Sequence, residues 1–279
     1  MHFPRSTPHT SPPRSSGPCF RTDAEGNIPL SRDWLGLLSR ARRFDRVVLQ
    51  TRNTCVRLVT LAPLPSLTWF SALDCARNDQ GDLTLGLSHW GQARARLAHC
   101  SCCGSPGKIQ IFDTTGRECL QLCAHPDIDP SDWAGFLAPL AAPLNATVHP
   151  VSPGLFYTGR IFTAHPGATE HDTSLLSVLL ELFARAEASL DCDLHTPAAT
   201  QRRRLSPRRI TCEHGLLTVA DGVHTLQVIL PAIARLVVHP RHIHLVGPDG
   251  ASLLSLHPAD TPDGTCLWSA ILHAALNRI

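Results

Sequence analysis

The sequence predicts an α+β fold made of two tandem structural repeats, each a large antiparallel β-sheet with flanking helices. The segments "KIQIFDTTGRECLQL" (108–122) and "HIHLVGPDGASLLSL" (242–256) each indicate two strands that meet at a glycine. A tryptophan-containing helix follows each hairpin, and "RARLAH" and "IARLVV" precede them, with five additional residues, "CSCCG", in the first copy. Self-similarity at this spacing is typical of a duplicated architecture. The register of the duplication matches Ile109 with Ile243, Gly116 with Gly250 and Leu122 with Leu256.

The pattern divides the chain into a disordered tail (1–30), a first repeat (31–145) and a second repeat (146–279), because the tail is rich in Pro, Ser and Arg. The predicted elements begin with a helix near Ser31. The others, in order, are a strand pair bending at Arg52-Asn53, a hairpin turning at 78–81, a short helix leading into a strand at 89–100, helices at 126–144, 172–190 and 262–279, and a strand pair around His214.

Composition limits the possible functions. Hydrophobic residues make up 43% of 279 residues, which is enough for a sizeable core, and the formal net charge of +2 argues against a nucleic-acid binder. The sequence shows no secretory signal peptide and no run long enough to span a membrane, so we expect a cytoplasmic protein with reduced cysteines. The 16 histidines are unusual, and imidazole is a common ligand of metals and of haem iron.

Three segments resemble a known family in their order and spacing: "FDRVVLQTRNTCVRLV", "GDLTLGLSHWGQARARL" and "KIQIFDTTGRECLQL". They are similar to the haem-utilisation proteins of the HemS/HmuS type, also called hemin-degrading or hemin transport proteins. The similarity is clear over residues 40–140 and looser over 170–279. It implies two structural repeats that bind one haem between them in the bacterial cytoplasm, downstream of haem uptake. A haem transporter or a haem-receiving protein is the partner that it implies.

The resemblance also implies site residues. The arginine that reaches the haem in the family's "DLRLF" strand is replaced by Thr84 in "DLTLG", and a hydroxyl supplies no fixed positive charge. The family's axial histidine corresponds to His149 in "TVHPVSPGLF", with Phe156 and Tyr157 as an apolar wall. Arg241, in "VVHPRHIH", is expected near the haem propionates, where a guanidinium can pair with a carboxylate. The alternatives are that His149 lies in a solvated linker, with His165 or His171 as the ligand in its place, and that "VVHPRHIH" is a charged strand edge.

Three functions therefore remain open: a haem carrier, which the sequence favours, a haem-degrading enzyme, and a degenerate scaffold that binds a protein partner or a metal. The scaffold hypothesis depends on His99, Cys100, Cys102 and Cys103, whose thiolates and imidazole suit zinc but lack a second Cys pair. The basic run at 201–209 predicts a solvated loop, and the alternatives are a contact for haem propionates, for an acidic partner or for nucleic acid.

Overall fold

The computed structural model describes residues 18, 20–98, 104–142 and 167–278. It contains two nine-stranded antiparallel sheets with helices packed on them, which confirms the predicted α+β class. The helices are α1 (Trp34–Ala41), α2 (Pro130–Leu137), α3 (Ser174–Arg185) and α4 (Gly264–Leu276). The strands are β1 (Ile28–Pro29), β2 (Val47–Arg52), β3 (Val56–Ala62), β4 (Leu67–Phe70), β5 (Cys75–Asn78), β6 (Leu83–Gly86), β7 (Trp90–Arg96), β8 (Lys108–Asp113), β9 (Glu118–Ala124), β10 (Thr169–His171), β11 (Leu190–His195), β12 (Ala199–Leu205), β13 (Arg209–Glu213), β14 (Leu216–Ala220), β15 (His224–Ile229), β16 (Arg235–His239), β17 (His242–Val246) and β18 (Ser252–Pro258).

The two sheets repeat one strand order. The first sheet runs β1-β7-β8-β9-β2-β3-β15-β14-β13, and the second runs β10-β16-β17-β18-β11-β12-β6-β5-β4. The two orders match strand by strand when β1–β9 are paired with β10–β18: β1 in one sheet corresponds to β10 in the other, β2 to β11, and so on to β9 and β18. Three strands are exchanged between the sheets. Strands β4–β6 come from the first nine but lie in the second sheet, and β13–β15 come from the last nine but lie in the first sheet. The boundary expected between residues 145 and 146 lies outside the described residues.

The repeated hairpins occupy equivalent places, as the sequence register predicts. Ile109 on β8 lies opposite Leu122 on β9, and Ile243 on β17 lies opposite Leu256 on β18. Both isoleucines are fully buried. The turn glycines Gly116 and Gly250 have φ values of +82° and +77°, a conformation that glycine adopts without steric cost.

The match of "RARLAH" with "IARLVV" is wrong in register. Ala95 lies opposite Ile109, whereas Val238 lies opposite Ile243. Thirteen residues therefore separate the members of the first pair and four separate those of the second. The connection before β8 is longer than the five-residue insertion that the sequence suggested.

The short helix predicted at the start of 89–100 is also wrong. A single 3-10 turn, Leu87–His89, leads into β7, which pairs with β8. Within β7 the buried Ala93 and Ala95 alternate with the partly exposed Gln92 and Arg94. A period of two is the pattern of a strand, and here it overrides the helix preference of Ala and Arg.

The helices begin at acidic residues and bury one face each. Asp33 and Asp129 accept hydrogen bonds from the first-turn backbone N–H groups of α1 and α2, as expected of helix caps. Asp172 accepts one from Ser174 at the start of α3. In each half a fully buried tryptophan anchors the helix that follows the hairpin, Trp133 in α2 and Trp268 in α4.

A buried polar network joins the two sheets. Arg203 on β12 is 9% exposed and donates to the carboxylate of Asp82 and, at 3.2 Å, to the hydroxyl of Thr60 on β3. Gln201 donates to the same hydroxyl at 2.7 Å, and His224 Nδ1 lies 3.1 Å from it. Burial lowers the pKa of Arg203, and Asp82 opposes that shift. The ion pair of Arg203 and Asp82 is therefore largely buried where the two sheets meet.

Arg203→Ala should lower the free energy of unfolding by about 3 kcal/mol, because it leaves Asp82 without its buried partner. Arg202→Ala is the matched control on the same strand. It breaks a pair whose arginine is 59% exposed and should cost about 1 kcal/mol or less. Urea denaturation followed by circular dichroism measures both, and equal losses would contradict the structural role assigned to Arg203.

Candidate functional site

The outer face of the second sheet carries a group of ionisable side chains on adjacent strands. Along β11, Leu190, Cys192 and Leu194 point into the core, so Asp191, Asp193 and His195 point outward. The same alternation operates on the neighbouring strands. We call this surface the histidine face, and its members are Thr84 on β6, Thr200, Arg202 and Arg204 on β12, Asp191, Asp193 and His195 on β11, Ser255 and His257 on β18, His242 and His244 on β17, and His239 on β16.

Two cross-strand ion pairs lie on the histidine face. Arg202 binds Asp193 through two hydrogen bonds of 2.6 and 2.5 Å, a bidentate geometry, and Arg204 lies 3.1 Å from Asp191. The hydrogen bonds that Arg202 donates to Asp193 raise the pKa of Arg202. These contacts correct the expectation that 201–209 is a loop, since residues 199–205 form β12. Its two outward arginines are held by aspartates of the same sheet.

Four of the histidines pack together. The rings of His239 and His242 stack with centroids 4.5 Å apart, and the ring of His242 lies 4.6 Å from that of His244 and 6.1 Å from that of His257. His244 Nδ1 lies within hydrogen-bond distance of the Ser255 hydroxyl, at 2.7 Å. Burial lowers the pKa of His257, although Asp193 lies 3.7 Å from its Nε2.

The fifth histidine, His195, stands in a row with Thr84. Thr84 pairs with Thr200 across β6 and β12, and Thr200 pairs with His195 across β12 and β11. The Nδ1 atom of His195 lies 2.6 Å from the Thr200 hydroxyl, and the imidazole is exposed. Sequence reasoning missed this residue, although the alternation in "LDCDLH" puts it on the face of Asp191 and Asp193.

Of the five residues that the sequence predicts for a haem site, two, Thr84 and Arg241, are among the described residues. Thr84 lies on the histidine face. Arg241 is exposed in the turn between β16 and β17, where its backbone N–H donates to His239 Nδ1 at 3.2 Å. His149, Phe156 and Tyr157 lie outside the described residues, as do His99, Cys100, Cys102 and Cys103.

The equivalent face of the first sheet has a different chemistry. Its strands present glutamines, Gln50, Gln110 and Gln121, in register across β2, β9 and β8. Arg57 donates to Gln227 at 3.4 Å at the place that corresponds to Thr200 and Thr84. Among the described strand residues, no histidine points outward from this sheet. The two sheets share a strand order, and among the described strands outward imidazoles lie on the second sheet.

A cavity of about 520 Å³ separates the turns of the repeated hairpins. It is lined by residues of both hairpin turns and of the β2–β3 turn, including Asn53, Arg117 and Asp249. Asn53 donates to the Leu253 carbonyl at 2.8 Å and ties the two halves together there. Glu118, also in the lining, accepts from Gln110 at 2.8 Å and pairs with Arg52 at 3.4 Å. Among the described residues that line this cavity there is no histidine, in contrast to the histidine face.

The donor set of the histidine face fits haem. Imidazole is a common axial ligand of haem iron, and five histidines are present on this face. Among the residues that the structure describes, no group of three or more His, Cys, Asp or Glu is placed to hold a free metal ion. One imidazole at a time suffices for haem, whose porphyrin supplies the other ligands. When bound, haem would supply the redox-active iron.

Comparison with solved structures shows that the chain has the fold of haem-utilisation proteins of the HemS type. The sequence resemblance predicted this fold. The chain is similar to ChuS from E. coli, described as a heme oxygenase, with 15% identity, a TM-score of 0.72, and coverage of 90% of this chain and 89% of ChuS. It is similar to apo-PhuS, described as a heme-binding protein from Pseudomonas aeruginosa, with 17% identity, a TM-score of 0.70, and coverage of 88% and 86%.

The holo-PhuS structure gives a similar result, with 16% identity and a TM-score of 0.71 over 88% of this chain and 86% of that one. At these identities the likeness establishes the fold. No family model matches the sequence, and no curated protein matches it. None of the helices in the described ranges is long and apolar enough to cross a membrane.

Proposed function

We propose that this protein binds haem on the histidine face and carries it in the cytoplasm as part of bacterial haem utilisation. The observation that carries the proposal is the asymmetry between the sheets: five outward imidazoles on the second and none on the described strands of the first. The fold supports it, because ChuS and PhuS, which share the fold, are described as haem-degrading and haem-binding proteins.

The proposal assigns roles to single residues. His149 remains the proposed iron ligand. Phe156 and Tyr157 are proposed as an apolar wall for the porphyrin. Arg241 is proposed as the propionate contact, because its guanidinium is exposed at the edge of the histidine face, whereas Arg202 and Arg204 are held by aspartates. A haem transporter or a haem-receiving protein is the proposed partner.

Haem titration of the full chain tests the proposal. We expect a saturable, sharp Soret band that is lost or strongly weakened in His149→Ala. His125→Ala is the matched control, since His125 pairs with Asp127 in the first half, away from the second sheet, and should leave the band unchanged. Absence of saturable binding by the wild type would contradict the proposed function and favour the scaffold alternative. Binding with an unchanged spectrum in His149→Ala would remove His149 as the ligand.

A second candidate function is haem degradation, which is favoured by the shared fold with ChuS. The position of Thr84 opposes it. Thr84 offers one hydroxyl, and its cross-strand neighbour Thr200 offers another. Neither residue provides a fixed positive charge beside the haem.

A further inference from the structure

The cavity of about 520 Å³ lies between corresponding turns of the two halves. Its lining comes from the β2–β3 and β8–β9 turns of the first half and from the β11–β12 and β17–β18 turns of the second. The shared strand order makes the first of these turns the counterpart of the third, and the second the counterpart of the fourth. Its volume falls within the range of small-molecule sites in proteins, roughly 300–1,000 Å³.

The two hairpin turns bring opposite charges to this cavity. Arg117, in the β8–β9 turn, and Asp249, in the β17–β18 turn, both belong to its lining. Neither forms an ion pair with a residue that the structure describes, so the two are farther apart than an ion-pair contact. Arg117 is partly exposed and Asp249 is exposed, so a dissolved molecule can reach both.

The other charged residues of the lining already have partners. Arg52 lies 3.4 Å from Glu118, and the two side chains neutralise each other. The Oδ1 atom of Asp113 accepts hydrogen bonds from the backbone N–H groups of Thr115, at 2.8 Å, and Arg117, at 3.0 Å, and so holds the turn. Arg117 and Asp249 are therefore the charged side chains that remain for a ligand.

The rest of the wall is apolar and unreactive. Leu253 and Cys119 are buried residues of the lining, and Pro248 adjoins them. Burial raises the pKa of the Cys119 thiol to about 12, and its Sγ donates to the Ile111 carbonyl at 3.4 Å. A thiol in this state is not a nucleophile, so a molecule in the cavity would be held by non-covalent contacts.

We propose that this cavity binds a small zwitterion of the amino-acid or short-peptide class. The ligand carboxylate pairs with the Arg117 guanidinium, a geometry that allows two parallel hydrogen bonds, and the ligand ammonium pairs with the Asp249 carboxylate. The apolar part of the ligand lies against Leu253 and Pro248. The inference goes beyond the proposed function and does not depend on haem, because the lining of the cavity and the histidine face share no residue.

Isothermal titration calorimetry of the full chain without haem, at pH 7, tests the inference with three peptides. Trialanine carries both charges, N-acetyl-trialanine lacks the ammonium, and trialanine amide lacks the carboxylate. The wild type should bind trialanine saturably. Each modified peptide should bind about tenfold or more weakly, because it loses a hydrogen-bonded contact between charged groups.

Two variants assign the charges. Arg117→Gln should bind trialanine and its amide with equal affinity while it still discriminates against the acetylated peptide. Asp249→Asn should do the reverse, and it keeps the Oδ1 atom that accepts from the Ala251 N–H at 3.1 Å. Arg185→Gln, whose 68% exposed side chain lies on α3, is the control and should retain the selectivity of the wild type. Circular dichroism confirms that each variant is folded.

The outcomes are separate from those of the haem titration, since no haem is present. Absence of saturable trialanine binding by the wild type overturns the inference. Equal affinity of the wild type for the three peptides overturns it as well, because the cavity would then not recognise charge. If Arg117→Gln and Asp249→Asn both keep the selectivity of the wild type, the two residues do not bind the termini and the inference is also wrong.

Discussion

The haem complex should keep its Soret band when an electron donor and oxygen are added with catalase present. Oxidative ring opening needs fixed donors or charge beside the reacting oxygen, and preorganised groups of this kind typically contribute a few kcal/mol, roughly a hundredfold in rate. The Thr84 row supplies the hydroxyls of Thr84 and Thr200, the exposed His195 and, on the other side of Thr84, Arg77, whose guanidinium lies against Gly81. We therefore expect loss of the band to be slower than in a dedicated haem-degrading enzyme by about that factor.

The arginines that are close to Thr84 in sequence do not replace the missing charge. Arg94 and Arg96 lie on β7 in the first sheet, and the guanidinium of Arg94 packs over Phe112. Arg77 is the cross-strand neighbour of Thr84, but its guanidinium lies against Gly81 in the following turn. Thr84→Arg should increase the rate of Soret loss relative to the wild type. Steady loss of the band in the wild type, with a biliverdin-like product, would refute the prediction.

Trp268→Ala should lower the free energy of unfolding by about 3–5 kcal/mol, the range for deletion of a buried large aromatic side chain. Trp268 is fully buried, its ring lies 5.7 Å from that of Phe183, and its Nε1 donates to the Pro240 carbonyl at 2.9 Å. The last contact connects α4 to the turn that carries Arg241. The variant should therefore also weaken haem binding.

Leu267→Ala is the control for this prediction, because the neighbouring Leu267 side chain is 41% exposed and its removal should change stability by about 0.5 kcal/mol or less. Denaturation in urea, followed by far-ultraviolet circular dichroism, which reports the backbone and not the deleted ring, gives both values. A loss below about 1 kcal/mol in Trp268→Ala would show that the core of the second half does not depend on this ring.

Local patterns in the sequence were sufficient for most single elements. The hairpins around Gly116 and Gly250 and the capped helices follow from short-range rules of turns and caps. The strand β12 was not recognised, because its three consecutive arginines resemble a solvated loop. Its outward arginines pair with aspartates of β11, and Arg203 points inward to Asp82, contacts that only the register reveals.

The candidate site was also predictable only in part, because local patterns identify single residues but not their neighbours in the sheet. The family pattern located Thr84, and the alternation of β11 and β17 contains the outward His195, His242 and His244. That these histidines share one face depends on the order of β17, β18 and β11 in the sheet, which is set by long-range pairing. No periodicity within one strand identifies its neighbour.

The exchange of β4–β6 and β13–β15 has a consequence for how such a protein can arise. A chain with the first nine strands alone would leave β3 without the partner that β15 provides, and β6 without β12. Unpaired strand edges promote association. Two identical copies would satisfy each other by reciprocal donation of three strands, which is a domain-swapped homodimer. The present chain has the strand arrangement that such a dimer would have if its two copies were joined in one polypeptide, and among the described strands outward histidines lie on one of its two sheets.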